Sequence, residues 1–191
     1  MLDDARDRAA QEMAYCEAIL AKSGTSVLRK TLPSDGLVTW KHYPESDIYD
    51  TASGAQWYYH CHDDSDELGE HGHFHCFVRP DGKESGPCHL IAIGVDARGR
   101  VTRLFTVNQW VVGGDWYDAD TTNGLLDRFN VELVEPDYLV NRWLTAVVTR
   151  YEKDIVRLNT ERDHRLAQLG TDEGDIRSDR DLEVISELRL S

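Results

Sequence analysis

Imidazole is the commonest protein ligand for borderline divalent metals. In this 191-residue sequence six of the eight histidines, His60, His62, His71, His73, His75 and His89, fall between residues 60 and 89, where even spreading would put about one. On a strand, alternate side chains share a face at a spacing of about 6.6 Å. The pattern therefore predicts that His60 and His62 share a face, as do His71, His73 and His75. If the two strands pair antiparallel, opposed residues stand about 5 Å apart, and two His-x-His pairs can converge on one ion at about 2.1 Å per bond. His89 opens the next apolar run and can join from the side. Glu70 or Asp66 can supply an oxygen ligand or a general base. Nitrogen and oxygen donors on a sheet face suit Zn, Fe(II), Mn or Ni, and the sequence does not separate these. Two other readings stand beside the metal: polar histidines packed against Trp57, Tyr58 and Phe77, and a metal-free face that binds an organic ligand.

Other residues give weaker signals. Cys61, Cys76 and Cys88 each neighbour a histidine, so in regular strands they face the opposite way, as small buried thiols. There is no C-x-x-C pair for a zinc ribbon, and four cysteines do not make a disulfide framework. Tyr58, Asn108 and Trp110 are candidate pocket residues. Asn141 and Trp143 can line a pocket too, though tryptophans at such positions serve more often as core anchors. Gly113-Gly114 reads as a turn, and no G-x-S-x-G, Walker or H-E-x-x-H motif occurs.

The elements that must position these side chains follow from periodicity. Ala5, Ala9, Met13, Cys16 and Leu20 recur at helical spacing over 3–22, ended at Gly24. A polar connector with Pro33, Gly36 and Pro44 carries the aromatic stretch Trp40-Lys41-His42-Tyr43. Strands are expected at 56–62, 73–79, 89–95 and 101–110, with an acidic loop at 63–69 and turns at Pro80-Asp81-Gly82 and Ala97-Arg98-Gly99. Connections this short favour an antiparallel meander. A short helix is expected at 121–130, capped at Thr121, Thr122 or Asn123, with Leu125, Leu126 and Phe129 facing inward. A long helix follows from about 137 to 169 with the stripe Val140, Trp143, Val147, Tyr151, Ile155, Leu158, Leu166 and Leu169. Residues 171–191 carry many charges and a weak apolar pattern, which reads as an exposed tail or a small docking helix. The whole is an α+β domain over 1–170: an antiparallel sheet of about four to six strands against an N-terminal and a long C-terminal helix.

Composition narrows the partners. With 21 Lys and Arg against 35 Asp and Glu, the net charge is −14, which repels phosphate backbones and anionic membrane surfaces. No apolar run approaches the roughly 20 residues that cross a bilayer. The acidic start Met1-Leu2-Asp3-Asp4 has no signal-peptide pattern, so a reducing cytoplasm is expected. A small-molecule ligand or substrate remains as the partner; oligomeric state is not legible.

Glu70-His71-Gly72-His73-Phe74-His75, preceded by Tyr59-His60-Cys61-His62, resembles the central motif of an uncharacterised bacterial domain family. Leu104-Phe105-Thr106, Asn108-Gln109-Trp110 and Asn141-Arg142-Trp143-Leu144 are similar to that family as well, so the likeness spans about residues 40 to 165. It implies one functional unit and, the family having no established activity, no substrate. A second comparison is by analogy with cupins, whose metal site uses an H-x-H pair, a Glu and a later His. His73 and His75 fit the pair and His89 the later ligand, but Glu84 comes late, the glycine spacing is absent, and the strands are too few for a double-stranded barrel. The reading is thus a metal-binding protein with a His-rich sheet face, and two classes of function stand open. One is a metal-dependent oxygenase or hydrolase with Glu70 as base. The other is a non-catalytic metal-sensing, metal-storing or ligand- or partner-binding module.

Overall fold

The computed structural model describes residues 2–34, 37–62, 69–170 and 176–190. The acidic loop expected at 63–69, and with it the candidate ligand Asp66, lies outside these residues apart from Gly69.

The predicted first helix forms as α1 (Leu2–Lys22), burying Ala9, Cys16 and Leu20. Asp3 and Asp4 sit in its first turn, where the helix dipole favours anions. The connector is less irregular than its composition suggests. It holds a short helix, α2 (Val27–Thr31), capped by the Ser26 hydroxyl, which accepts from the Arg29 N–H at 3.2 Å.

The strands are β1 (Tyr43–Tyr49), β2 (Ala55–His60), β3 (Glu70–Val78), β4 (Cys88–Asp96), β5 (Val101–Val107) and β6 (Val184–Arg189). They form one antiparallel sheet in the order β1-β2-β3-β4-β5-β6. β2 to β5 are the expected meander, with β5 ending earlier than predicted because Asn108 caps a short helix, α3 (Gln109–Val112); β1, read from the sequence as part of the polar connector, adds an unforeseen edge strand. The sixth corrects the reading of the C-terminal segment: 184–189 is neither a tail nor a docking helix but an edge strand on β5. Its charged face, Glu187 and Arg189, masked the alternation in the sequence.

Next come α4 (Ala119–Asn123), capped by Asp118 rather than by a later residue, and a 3-10 turn at Leu126–Arg128 that buries Leu126. The long helix is two helices, α5 (Tyr138–Arg150) and α6 (Glu152–Leu169), meeting at Tyr151. No Pro or Gly marks the junction. What changes there is the packing partner, from α1 for α5 to β6 and α4 for α6. The predicted stripe is buried at Val140, Trp143, Val147, Ile155, Leu158 and Leu166, whereas Leu169 is exposed.

These helices cover one sheet face, where Trp57, Tyr59, Phe74, Cys76, Ile91, Ile93 and Leu104 meet Trp143, Leu144 and Val147. Burying an aliphatic or aromatic side chain in such a layer contributes about 1.5–3 kcal/mol. Cys61, Cys76 and Cys88 lie in this core and form no disulfide. None of the described helices is long and apolar enough to cross a membrane.

Asn141 ties the layers together. Fully buried on α5, it accepts a hydrogen bond from the Trp57 indole N–H at 2.9 Å and donates to the carbonyls of Leu133 and Glu135 at 2.8 and 2.9 Å. Asn141→Ala orphans one donor and two acceptors, so denaturant unfolding should show a loss of about 2–4 kcal/mol. A loss below about 1 kcal/mol would mean that water replaces the amide.

Candidate metal centre

Strand alternation sends Tyr58, His60, His73, His75 and Phe77 to the sheet face away from α1 and α5, as the sequence predicts. His60 and His73 are cross-strand partners. Their rings lie 4.5 Å apart and their Nε2 atoms 2.7 Å apart. His62, just past β2, brings its ring to 5.0 Å from His60 and 5.2 Å from His73. One ring nitrogen from each of the three lies within 4.8 Å of the others. Three lone pairs so placed can meet on one ion with bonds of about 2.0–2.1 Å.

Proton positions follow from the partners. The Nδ1 of His73 is 3.2 Å from Glu70 Oε1, so Nδ1 carries the proton and Nε2 offers its lone pair toward His60. A carboxylate behind a histidine is the usual support of a metal ligand, fixing tautomer and ring orientation. In the metal-free pair His60 donates through Nε2. To ligate an ion through that atom its proton must move to Nδ1.

Glu70 reaches this face through an irregularity. Glu70 opposes Asp96 and Gly72 opposes Val95, so β3 carries one residue more than β4 between these points. The bulge places Glu70 on the histidine side and turns His71 toward the core, where its Nδ1 meets the Tyr59 hydroxyl at 2.6 Å. This corrects the expectation that His71, His73 and His75 share a face. Gly72 is required at the bulge, because a Cβ there would collide with the Tyr59 hydroxyl and the His60 carbonyl. From the histidine side, Glu70 reaches across β4 to Arg103 on β5. Nε is 3.0 Å from Oε2, and Nη2 donates to Oε1 at 3.2 Å. The remaining arm of Arg103 donates to Glu187 of β6 at 3.2 Å, and its guanidinium lies 4.1 Å over the Phe105 ring. Glu70, expected as a base or an oxygen ligand, thus has both carboxylate oxygens engaged.

Of the six histidines three converge. His75 is fully buried with its ring 5.0 Å from His60 and 4.9 Å from His73, yet it stands outside the group of three. Its Nδ1 lies 3.0 Å from His89 Nε2, and its own Nε2 is buried with no hydrogen-bond partner. His89 therefore pairs with His75 and does not join the three.

Tyr58, expected in the pocket, does not line the cleft beside His73 but packs against His60 and His75, with ring centroids 5.8 and 5.0 Å away. Asn108 and Trp110 do not line it. The Asn108 amide donates to the carbonyls of Ile176 and Leu182, and the Trp110 indole to Leu182, so both hold the C-terminal segment.

Three participants escaped the sequence reading. His42 stacks on Tyr58 at 3.6 Å, with its Nδ1 3.0 Å from Asp47, and Trp40 packs edge-on against His62 with ring centroids 4.1 Å apart. The stretch 40–43 signalled both, but only as part of a connector. Arg103 gave no signal, since its role depends on register. Between His73 and β6 opens a cleft of about 410 Å³, walled by His62, Glu70, Arg103, Phe105, Val184 and Arg189.

Burial, with the neighbouring imidazoles His73, His62 and His42 adding to it, pushes the His60 imidazole down to about 2. Burial lowers His73 and His89 to about 3 and His75 well below the usual histidine range. These rings are neutral at physiological pH, the form that binds metals. An unfolded chain protonates histidine near 6.5, whereas the folded chain resists until far lower pH. The unfolded state thus binds more protons below pH 6.5, and stability must fall as pH falls. For metal-free protein the loss should be on the order of 1 kcal/mol or more per pH unit between 6.5 and 5. Denaturant unfolding at pH 7, 6 and 5 measures it, and His60→Asn/His73→Asn should flatten the profile.

No curated protein and no solved structure matches this chain. A family model described as a domain of unknown function (DUF6969) matches residues 7–190. Spanning the helices, the sheet and the histidine face alike, that match makes this chain a member of the DUF6969 domain family.

Proposed function

We propose that this domain is a single-ion metalloenzyme acting on a small molecule in the cleft beside His73. The observation that carries this reading is the convergence of three imidazole nitrogens, from His60, His62 and His73, at one end of that cleft. Three neutral nitrogen ligands leave coordination positions free, the arrangement of catalytic rather than structural sites. A divalent ion there would supply Lewis-acid activation of water, dioxygen or a substrate oxygen, the chemistry of hydrolases and oxygenases.

The chain's own residues have distinct tasks. His60, His62 and His73 hold the ion, and Glu70 sets the tautomer of His73. Arg103 fixes Glu70, while Trp40 and Phe105 restrict water around the rings. A metal-storing role would call for several such groups, and among the described residues only one is present.

Metal analysis of protein exposed to Zn, Fe(II), Mn and Ni tests the reading. About one equivalent of ion per chain is expected, as for a single three-ligand site. It should be lost in His73→Ala and kept in His71→Ala and His89→Ala. Background metal in the unaltered protein would overturn the proposal. Glu70→Gln should keep the stoichiometry but weaken affinity by roughly 10–100-fold, the usual effect of removing a carboxylate behind a ligand. Unchanged affinity would assign Glu70 to the ion pair with Arg103 alone.

A further inference from the structure

The cleft has two chemically different ends. At one are His62 and His73; at the other, on β6, is Arg189. Arg189 and Arg103 are direct cross-strand partners and both project onto the histidine side. Their situations differ. Arg103 donates through Nη1 to Glu187 and through Nη2 to Glu70. Arg189 has an ion pair to Glu187 at 3.6 Å, longer than a hydrogen bond, and its side chain is 49% exposed. Arg189 thus presents a planar fork of donors to the cleft, a geometry that matches a carboxylate bidentately.

We infer that the cleft takes a small dicarboxylate or hydroxycarboxylate, one oxygen donor directed to the ion and the far carboxylate to Arg189. This rests on the metal reading above. A volume of about 410 Å³ suits a small metabolite, being near the lower end of the roughly 300–1,000 Å³ of ligand pockets. Glu183 on the wall and Glu187 beside both arginines set a limit on charge. With a net charge of −14 on the chain, they disfavour polyanions such as nucleotides.

The test uses malonate and succinate as probes, with malonamide and succinamide as uncharged counterparts, titrated calorimetrically into the metal-loaded full-length chain. At least one diacid should bind and the diamides should not. Arg189→Ala should weaken diacid binding by about tenfold or more, the equivalent of one charge-assisted hydrogen-bonded pair. Arg189→Lys should restore part of it. Arg189 lies at the end of an edge strand, and an unchanged unfolding midpoint will show that the fold survives. Diacid affinity indifferent to Arg189→Ala, or no binding of either diacid, overturns the inference. If the protein takes up no metal, the metal reading fails on its own. The same titration on metal-free protein then decides the arginine part: binding sensitive to Arg189→Ala sustains it, and absence of binding overturns it.

Discussion

The ion pair between Glu70 and Arg103 bridges β3 and β5 across an intervening strand, and the arrangement of the site depends on that crossing. Two strands apart means about 9.6 Å between backbones, at 4.8 Å per step, so any side chain on β4 beneath the pair would block it. The residue beneath is Gly94, where a Cβ would strike the Glu70 carboxylate. The pair is largely desolvated, with side-chain exposures of 9% and 17%. Buried ion pairs return little net stability. Its effect is positional: it holds a carboxylate behind His73 and lays a guanidinium on Phe105.

The same logic extends outward from the histidines. Rings on this side meet one another more than they meet water, and much of their hydrogen bonding is imidazole to imidazole: His60 to His73 and His75 to His89. The Nε2 of His75, by contrast, is buried without a partner, which costs stability. On the other side, the helices supply an apolar layer with a few fully satisfied polar groups, of which Asn141 is the clearest. The sheet thus separates an apolar, helix-covered layer from a polar, imidazole-rich one.

Much of this was legible in the residues. Period-two spacing placed His60, His73 and His75 on one face and Cys61, Cys76 and Cys88 on the other, because alternation is a property of the strand itself. It failed at His71, where one added residue reverses the facing of everything before it. The edge strand at 184–189 was hidden by Glu187 and Arg189, exposed charges on one of its two faces. Arg103 was illegible for a different reason. Its partner is 33 residues away, and the contact exists only in one register across a glycine. The break at Tyr151 likewise follows from which elements the two helices pack against, and not from any helix-breaking residue.

The three imidazoles and the cleft beside them belong to different ranges of the chain. His60, His62 and His73 come from neighbouring strands within 14 residues, whereas the cleft wall on β6 lies more than 75 residues beyond β5. During synthesis the residues proposed to hold an ion are therefore made well before the wall proposed to enclose a substrate. On the proposed function, a nascent chain would acquire its metal ligands early, and selectivity would wait until the final strand zips onto the sheet.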